Sequence, residues 1–162
     1  DQQGTATVTL AALMNALKVV GKDKAEIRLA LIGAGAAGVA IARLLFAWGV
    51  NPAKTIVVDA GGTMGKHRDD LPPSSPAGHL CQITNPAGVT GGIAEAMTGA
   101  DVVIAYSSPG PGIIQPEWIK AMAPDPIVFA CANPIPEIWP WEAKAAGAAV
   151  VAPHRSSRAA QA

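Results

Sequence analysis

The chain has 162 residues, half of them hydrophobic and 15% charged, with 12 basic and 12 acidic side chains and a formal net charge of zero. Average soluble domains carry roughly 25% charge; here 33 Ala, 17 Gly and only seven aromatic residues mean that small side chains, not bulky ones, raise the mean hydropathy to +0.29. Balanced signs exclude the clustered Lys/Arg footprint that nucleic acid or an anionic membrane surface needs, and the length is that of one domain.

Thr5 to Val20 places Val8, Leu10, Leu13, Met14, Leu17 and Val20 at helical spacing, with Gly21 as the stop. Ile27 to Ile32 is a short aliphatic run, read as a strand, that enters Gly33-Ala34-Gly35-Ala36-Ala37-Gly38. Val39 to Trp48 then reads as a helix capped by Gly49, and Thr55 to Val58 as a strand ending at Asp59. The most apolar stretch, Leu29 to Ala42, is 14 residues long and holds three Gly. A membrane span needs about 20 apolar residues, so no transmembrane helix is expected. Ala60 to Val89 mixes Gly, Pro, Ser and charge and reads as a long loop with a short helix near Ala77 to Ile83. Helices are expected again at Gly92–Met97, Gln115–Met122 and Trp141–Ala146, and strands at Asp101–Ala105, Pro126–Ala130 and Ala149–Val151. These later strands are continuous and apolar, as suits a parallel sheet covered by helices on both faces.

The expected fold is therefore α/β: a doubly wound, mostly parallel Rossmann-like sheet with an additional N-terminal helix. Residues 1–162 read as one nucleotide-binding domain: motif and helix at 1–21, core at 22–152, tail at 153–162. Cys81 and Cys131 lie 50 positions apart without a CxxC pair, and Cys131 sits in an apolar run, so both fit a reducing, cytoplasmic setting. No signal peptide is expected, and an Asp rather than a Met at position 1 suggests a cut N-terminus.

A G-x-G-x-x-G string is weak by itself in a Gly- and Ala-rich chain. Here it follows a strand, opens a helix, and precedes Asp59 by 21 residues counted from Gly38. Gly33 would permit the tight turn, Gly35 the approach of a pyrophosphate, and Gly38 close packing of helix on strand. The helix N-terminus offers N–H groups and a positive dipole end. Asp59 would accept hydrogen bonds from ribose hydroxyls and repel a 2′-phosphate, which favours NAD over NADP. Lys66, His67 and Arg68 follow it; they read either as a solvated loop face or as cations able to neutralise that extra phosphate. Ligands in open α/β sheets bind beyond the carboxyl ends of the strands, which adds Ser107, Ser108 and Asn133 as candidates. The two serines could equally serve to open the turn before Pro109. Trp48, Trp118, Trp139 and Trp141 read as packing, with Trp139-Pro140-Trp141 as an alternative interaction edge.

Over nearly its whole length the chain resembles the nucleotide-binding domain of bacterial and archaeal malic enzymes. The resemblance rests on Asp1-Gln2-Gln3-Gly4-Thr5-Ala6, the glycine turn, Thr84-Asn85-Pro86, Ser107-Ser108-Pro109-Gly110 and Ala132-Asn133-Pro134-Ile135-Pro136-Glu137-Ile138. The opening motif is the most discriminating, since generic dinucleotide-binding dehydrogenases share the turn and lack it. The resemblance implies oxidative decarboxylation of malate to pyruvate, with NAD (or NADP) as hydride acceptor and Mg²⁺ or Mn²⁺ as Lewis acid. It implies Asp1 as a metal ligand, Thr5 near the cofactor, residues Gly33, Ala34, Gly35, Ala36, Ala37 and Gly38 around the pyrophosphate, Asp59 on the ribose, and Asn133 beside nicotinamide and malate. A homo-oligomer is expected, with no membrane or nucleic-acid partner.

The departures also count. The family's Tyr and Lys and its other two acidic metal ligands precede the opening motif. Its continuation Arg-Ser-Asp-Tyr-Pro-Asn-Gln-x-Asn-Asn is replaced here by Arg155-Ser156-Ser157-Arg158-Ala159-Ala160-Gln161-Ala162. The expectation is a chain that binds NAD without oxidising malate on its own. The alternatives are a stand-alone nucleotide-binding or regulatory module, and another oxidoreductase of the same fold such as an amino-acid dehydrogenase.

Overall fold

The computed structural model describes residues 2–153; Asp1 and the residues after Pro153 lie outside the described residues. Helix α1 (Gln2–Val20) precedes strand β1 (Leu29–Ile32), helix α2 (Ala36–Trp48) and strand β2 (Thr55–Asp59). The middle contributes β3 (Gly62–Thr63) and α3 (Pro76–Ile83). The second half alternates α4 (Ile93–Met97), β4 (Val102–Ala105), α5 (Pro116–Lys120), β5 (Ile127–Ala130), α6 (Pro140–Ala145) and β6 (Val150–Pro153). The six strands form one sheet in the order β3-β2-β1-β4-β5-β6, parallel throughout except for the antiparallel pair β2–β3.

Why the strands read as unbroken apolar runs is plain from their faces. Leu29, Leu31, Val102, Ile104, Ile127 and Phe129 point to one side, where they meet Leu13 and Leu17 of α1, Leu45 of α2 and Leu80 of α3. Ala30, Ile32, Val103, Ala105, Val128 and Ala130 point to the other, against Met97, Ile119 and Ala143 of α4, α5 and α6. Side chains alternate faces along a strand, and with both faces buried no polar alternation survives. The second face is lined by Ala at three strand positions, which lets short helices sit close to the sheet.

Most element boundaries shift by one to three residues from expectation, and two differences have an identifiable physical cause. Ile27 and Arg28 are outside β1: the Asp101 carboxylate accepts from the Arg28 backbone N–H (2.8 Å) and from Lys22 Nζ (2.8 Å), and the Asp101 N–H donates to the Arg28 carbonyl. The Arg28 N–H is thus taken by a side chain and the Ile27 N–H by the Asp23 carbonyl (3.1 Å), while the Arg28 carbonyl keeps its backbone partners, the N–H groups of Asp101 and Val102. The stretch 60–89, expected to be mostly loop, contains β3 and is tied together by Asn85. This buried residue adopts φ 50°, a left-handed conformation that Asn tolerates better than most. Its Nδ2 donates to the carbonyls of Met64 (3.1 Å) and Val89 (2.9 Å), and its Oδ1 accepts from the Val89 N–H. The short helix in this stretch is present as α3, with Ser75 as its N-cap accepting from the Gly78 N–H (3.0 Å).

Candidate functional site

The strand order reverses direction between β1 and β4, and a cleft of about 750 Å³ opens at the carboxyl ends of β1, β2 and β4. That is the size of a small-molecule site, which spans roughly 300–1,000 Å³. Gly33, Ala34, Gly35, Asp59, Ser107 and Ser108 all lie in its wall, drawn from three segments far apart in sequence.

The glycine turn is shaped by contacts that leave no room for side chains. Gly33 adopts φ +110°, and a Cβ there would sit 2.3 Å from the Tyr106 carbonyl oxygen. A Cβ on Gly38 would sit 2.0 Å from the Gly33 carbonyl oxygen. The turn is also pinned to β2, since the Gly33 N–H donates to the Val58 carbonyl (2.8 Å). Gly35 differs: it is the N-cap of α2, no side chain caps the helix there, and a Cβ would meet nothing within 4 Å. Open space above a helix N-terminus is the cradle that a pyrophosphate requires. Ala36, Ala37 and Gly38 form the first turn of α2 behind it.

Asp59 ends β2 and carries the electrostatics of the site. Its carboxylate accepts from the Gly61 N–H (2.9 Å) and from both terminal nitrogens of Arg68 (2.7 and 3.1 Å). Arg68 is therefore not on a solvated face: its side chain is only 10% exposed and its guanidinium lies against Gly61, where a Cβ would come within 2.8 Å of it. Asp70 takes the other edge of the same guanidinium, at 2.7 Å from Nε and 2.8 Å from Nη2. These hydrogen bonds hold the Asp70 carboxyl down at about 2 and push the Arg68 guanidinium further up from an already high value. Of its two sequence neighbours, Lys66 is exposed and His67 shares a hydrogen bond with the Thr63 carbonyl (2.9 Å).

The far wall rests on Glu137. Its side chain is fully buried and accepts from the Ser107 N–H (3.1 Å), the Ser107 hydroxyl (3.3 Å) and the Ala132 N–H (3.2 Å), binding the ends of β4 and β5 to each other. Beneath it, the Tyr106 hydroxyl meets Thr9 Oγ1 of α1 at 2.7 Å. Burial pushes the Tyr106 phenol up and the Cys131 thiol up to about 12.

Of the expected site residues, Ala36, Ala37 and Gly38 lie behind the cleft wall in the first turn of α2, and Thr5 and Asn133 lie away from it. Asn133 is exposed past the end of β5, and Thr5 lies one turn before Thr9 on α1, where its carbonyl accepts from the Thr9 hydroxyl (2.8 Å). Asp1, the expected metal ligand, lies outside the described residues, and among the described residues no three His, Cys, Asp or Glu cluster to hold a metal ion. Leu71, Ala77, Ile93, Ile113 and Trp118 line the cleft without having been singled out for it. Trp118 does so while also packing on the core. Trp139 and Trp141 stack on each other at 4.9 Å between ring centroids, with Trp141 exposed, and Trp48 carries Lys24 over its ring.

A mostly parallel sheet with this strand order, a ligand-sized cleft at the strand reversal, a glycine turn opening on a helix N-terminus and an acidic residue ending the second strand define a dinucleotide-binding domain. Within that class the chain belongs to the family Malic enzyme, NAD binding domain, which it matches over residues 2–156. It is 47% identical over 140 residues to the NAD-dependent malic enzyme of Geobacillus stearothermophilus, covering 86% of this chain and 28% of that protein. It is 39% identical over 140 residues to the NADP-dependent malic enzyme of Halomonas elongata, covering 86% and 31%. The crystal structure of malic enzyme from Pyrococcus horikoshii superposes with a TM-score of 0.91 at 50% identity, covering 97% of this chain and 37% of that one. The chain thus spans roughly a third of the length of these relatives. Membership of the family displaces an amino-acid dehydrogenase as a reading. Among the described residues no helix is long and apolar enough to cross a membrane.

Proposed function

We propose that this chain binds NAD in the cleft at the ends of β1, β2 and β4, as the cofactor-holding part of a malic enzyme that converts malate to pyruvate and CO₂. The observation that carries the reading is the pairing of the open Gly35 cradle with the Asp59 carboxylate across one cleft. Gly33 to Gly38 would receive the pyrophosphate on the α2 N-terminus, and Asp59 the adenosine ribose hydroxyls. The apolar wall of Leu71, Ala77 and Ile93 suits a base, and Ser107 and Ser108 would face the nicotinamide half. Bound NAD supplies the hydride acceptor; the chain's own residues hold it, orient it and exclude water.

Malate oxidation itself is proposed for this domain as part of a protein of its relatives' length, of which the chain spans roughly a third. Among the described residues the cleft wall carries one ionisable side chain, Asp59, already engaged by Arg68. Among the described residues no proton-transfer pair faces the cleft, and the chain on its own is expected to bind without turnover. Asp1 as one carboxylate of a Mg²⁺ or Mn²⁺ site, Thr5 and Asn133 as contacts to cofactor and malate, and a homo-oligomeric assembly remain proposals of the same reading. Two buried free thiols, Cys81 and Cys131, support a reducing, cytoplasmic setting.

Calorimetric titration with NADH and NADPH tests the cleft. Asp59→Ala should weaken NADH at least tenfold, about 1.4 kcal/mol; unchanged NADH affinity in this variant removes the ribose assignment. Turnover of malate with NAD and Mn²⁺ by the 162-residue chain alone would overturn the division of labour.

A further inference from the structure

We infer that Asp70 is a cofactor-specificity determinant, acting as a positioning residue that keeps Arg68 from receiving the 2′-phosphate of NADP. The inference rests on the reading of the cleft as a dinucleotide site with the ribose at Asp59.

A guanidinium has five N–H donors. Arg68 Nε and one Nη2 proton go to the two oxygens of Asp70, one Nη1 and the other Nη2 proton go to the two oxygens of Asp59, and the remaining Nη1 proton points at the Gly62 carbonyl (3.4 Å). Every donor is engaged, and the trio of two carboxylates and one guanidinium carries a formal charge of −1. Arginine is the side chain best built to fork onto a phosphate, and here it stands directly beside the proposed ribose position. It is nonetheless closed to that role. A 2′-phosphate would have to displace a carboxylate from a bidentate pair while approaching net negative charge. Asp59 alone does not produce this state: with Asp70 absent, Nε and one Nη2 proton are released and the remaining Asp59–Arg68 pair is neutral. Asp70 is 59% exposed, at the rim rather than in the core. Its removal therefore changes the electrostatics without opening a cavity.

The test is the ratio of NADPH to NADH affinity, measured by calorimetry on the 162-residue chain at fixed, moderate salt, in the unaltered protein and in Asp70→Asn, Asp70→Glu and Arg68→Met/Asp70→Asn. Asp70→Asn should raise the ratio at least tenfold, with the rise coming from tighter NADPH binding. Asp70→Glu, which keeps a carboxylate within reach of Arg68, should restore most of the original ratio, and the double variant should lose the gain. A merely structural role would weaken both cofactors together. An unmoved ratio, or one that rises only because NADH binds less well, overturns the role of Asp70 while leaving the cleft assignment standing. An unaltered protein that binds neither cofactor overturns both.

Discussion

The two walls of the cleft are built by different physics. The near wall, from β1 through the glycine turn to α2, is shaped by backbone meeting backbone: Gly33 against Tyr106 and Gly38 against Gly33, at distances only hydrogen side chains allow. The far wall, at the end of β4, is held from behind by buried polar side chains, above all the Glu137 carboxylate, whose three donors tie it to the end of β5. A wall made of steric exclusion admits almost no substitution but needs no partners. A wall made of buried hydrogen bonds tolerates changes of shape better than changes of donor and acceptor, because an unmatched buried group bears its full desolvation cost.

The largest effect should come from the near wall. Gly38→Ala drives a Cβ into the Gly33 carbonyl, where neither backbone segment can yield cheaply, and should lower stability by about 3 kcal/mol or more. Gly35→Ala, one turn away but facing open space at an ordinary φ of −71°, should change stability by less than about 1 kcal/mol and act on NADH affinity instead. Urea unfolding of the two variants, beside an NADH titration, separates them. Equal destabilisation by both would break the distinction between a packing glycine and a ligand-facing one.

Glu137→Gln comes next. The replacement swaps an acceptor oxygen for an NH₂ that must face a backbone N–H, at Ser107 or Ala132, and should cost about 2–3 kcal/mol. Its denaturant midpoint is the readout, and a loss under about 0.5 kcal/mol would show that the far wall does not depend on the carboxylate.

The smallest expected effect at neutral pH concerns Cys131. Desolvation raises its thiol from an ordinary value of 9.0 to about 12 in the folded chain, so the folded state holds a proton that the unfolded state releases. The sign follows: this contribution to stability is complete below about pH 9 and is lost as pH rises toward about 12. Thermal midpoints across that window should fall more steeply than those of Cys131→Ala. At pH 8 alkylation of Cys131 in the folded protein should run on the order of a hundredfold or more slower than in urea. Alkylation at the unfolded rate would contradict a buried far wall.

The near wall was legible in the sequence because its physics is local. Gly33, Gly35 and Gly38 fall within six residues, between a strand and a helix that periodicity alone announces, and Asp59 follows at the end of the next strand. The loop from Ala60 to Val89 was legible only in part. The short helix expected near Ala77 to Ile83 is α3, whereas β3 is too short for a pattern and the Asn85 tie spans 21 residues to Met64. Arg68 reads from the sequence first as part of a solvated loop face and second as a phosphate partner, and neither reading places Asp59 and Asp70 on its two edges. Glu137 stood within a motif that marked the family, and nothing in the order of residues says that it is buried against Ser107, 30 positions earlier. Asn133 in the same motif is exposed, off the cleft wall.

The amino-acid sequence by itself determined the α/β alternation, the parallel sheet buried on two faces and the turn that opens onto a helix N-terminus, since periodicity, glycine and the residue ending a strand act over a few positions. The sequence marked Asp59 by its place at the end of a strand, but the tertiary structure alone decided what each carboxylate partners. Asp59, Asp70, Asp101 and Glu137 are similar acids in the chain, and each takes its role from a partner: Arg68 between the first two, Lys22 and the Arg28 backbone for the third, the ends of two strands for the fourth. Charge and hydrogen bonding act through space, and folding sets which groups meet.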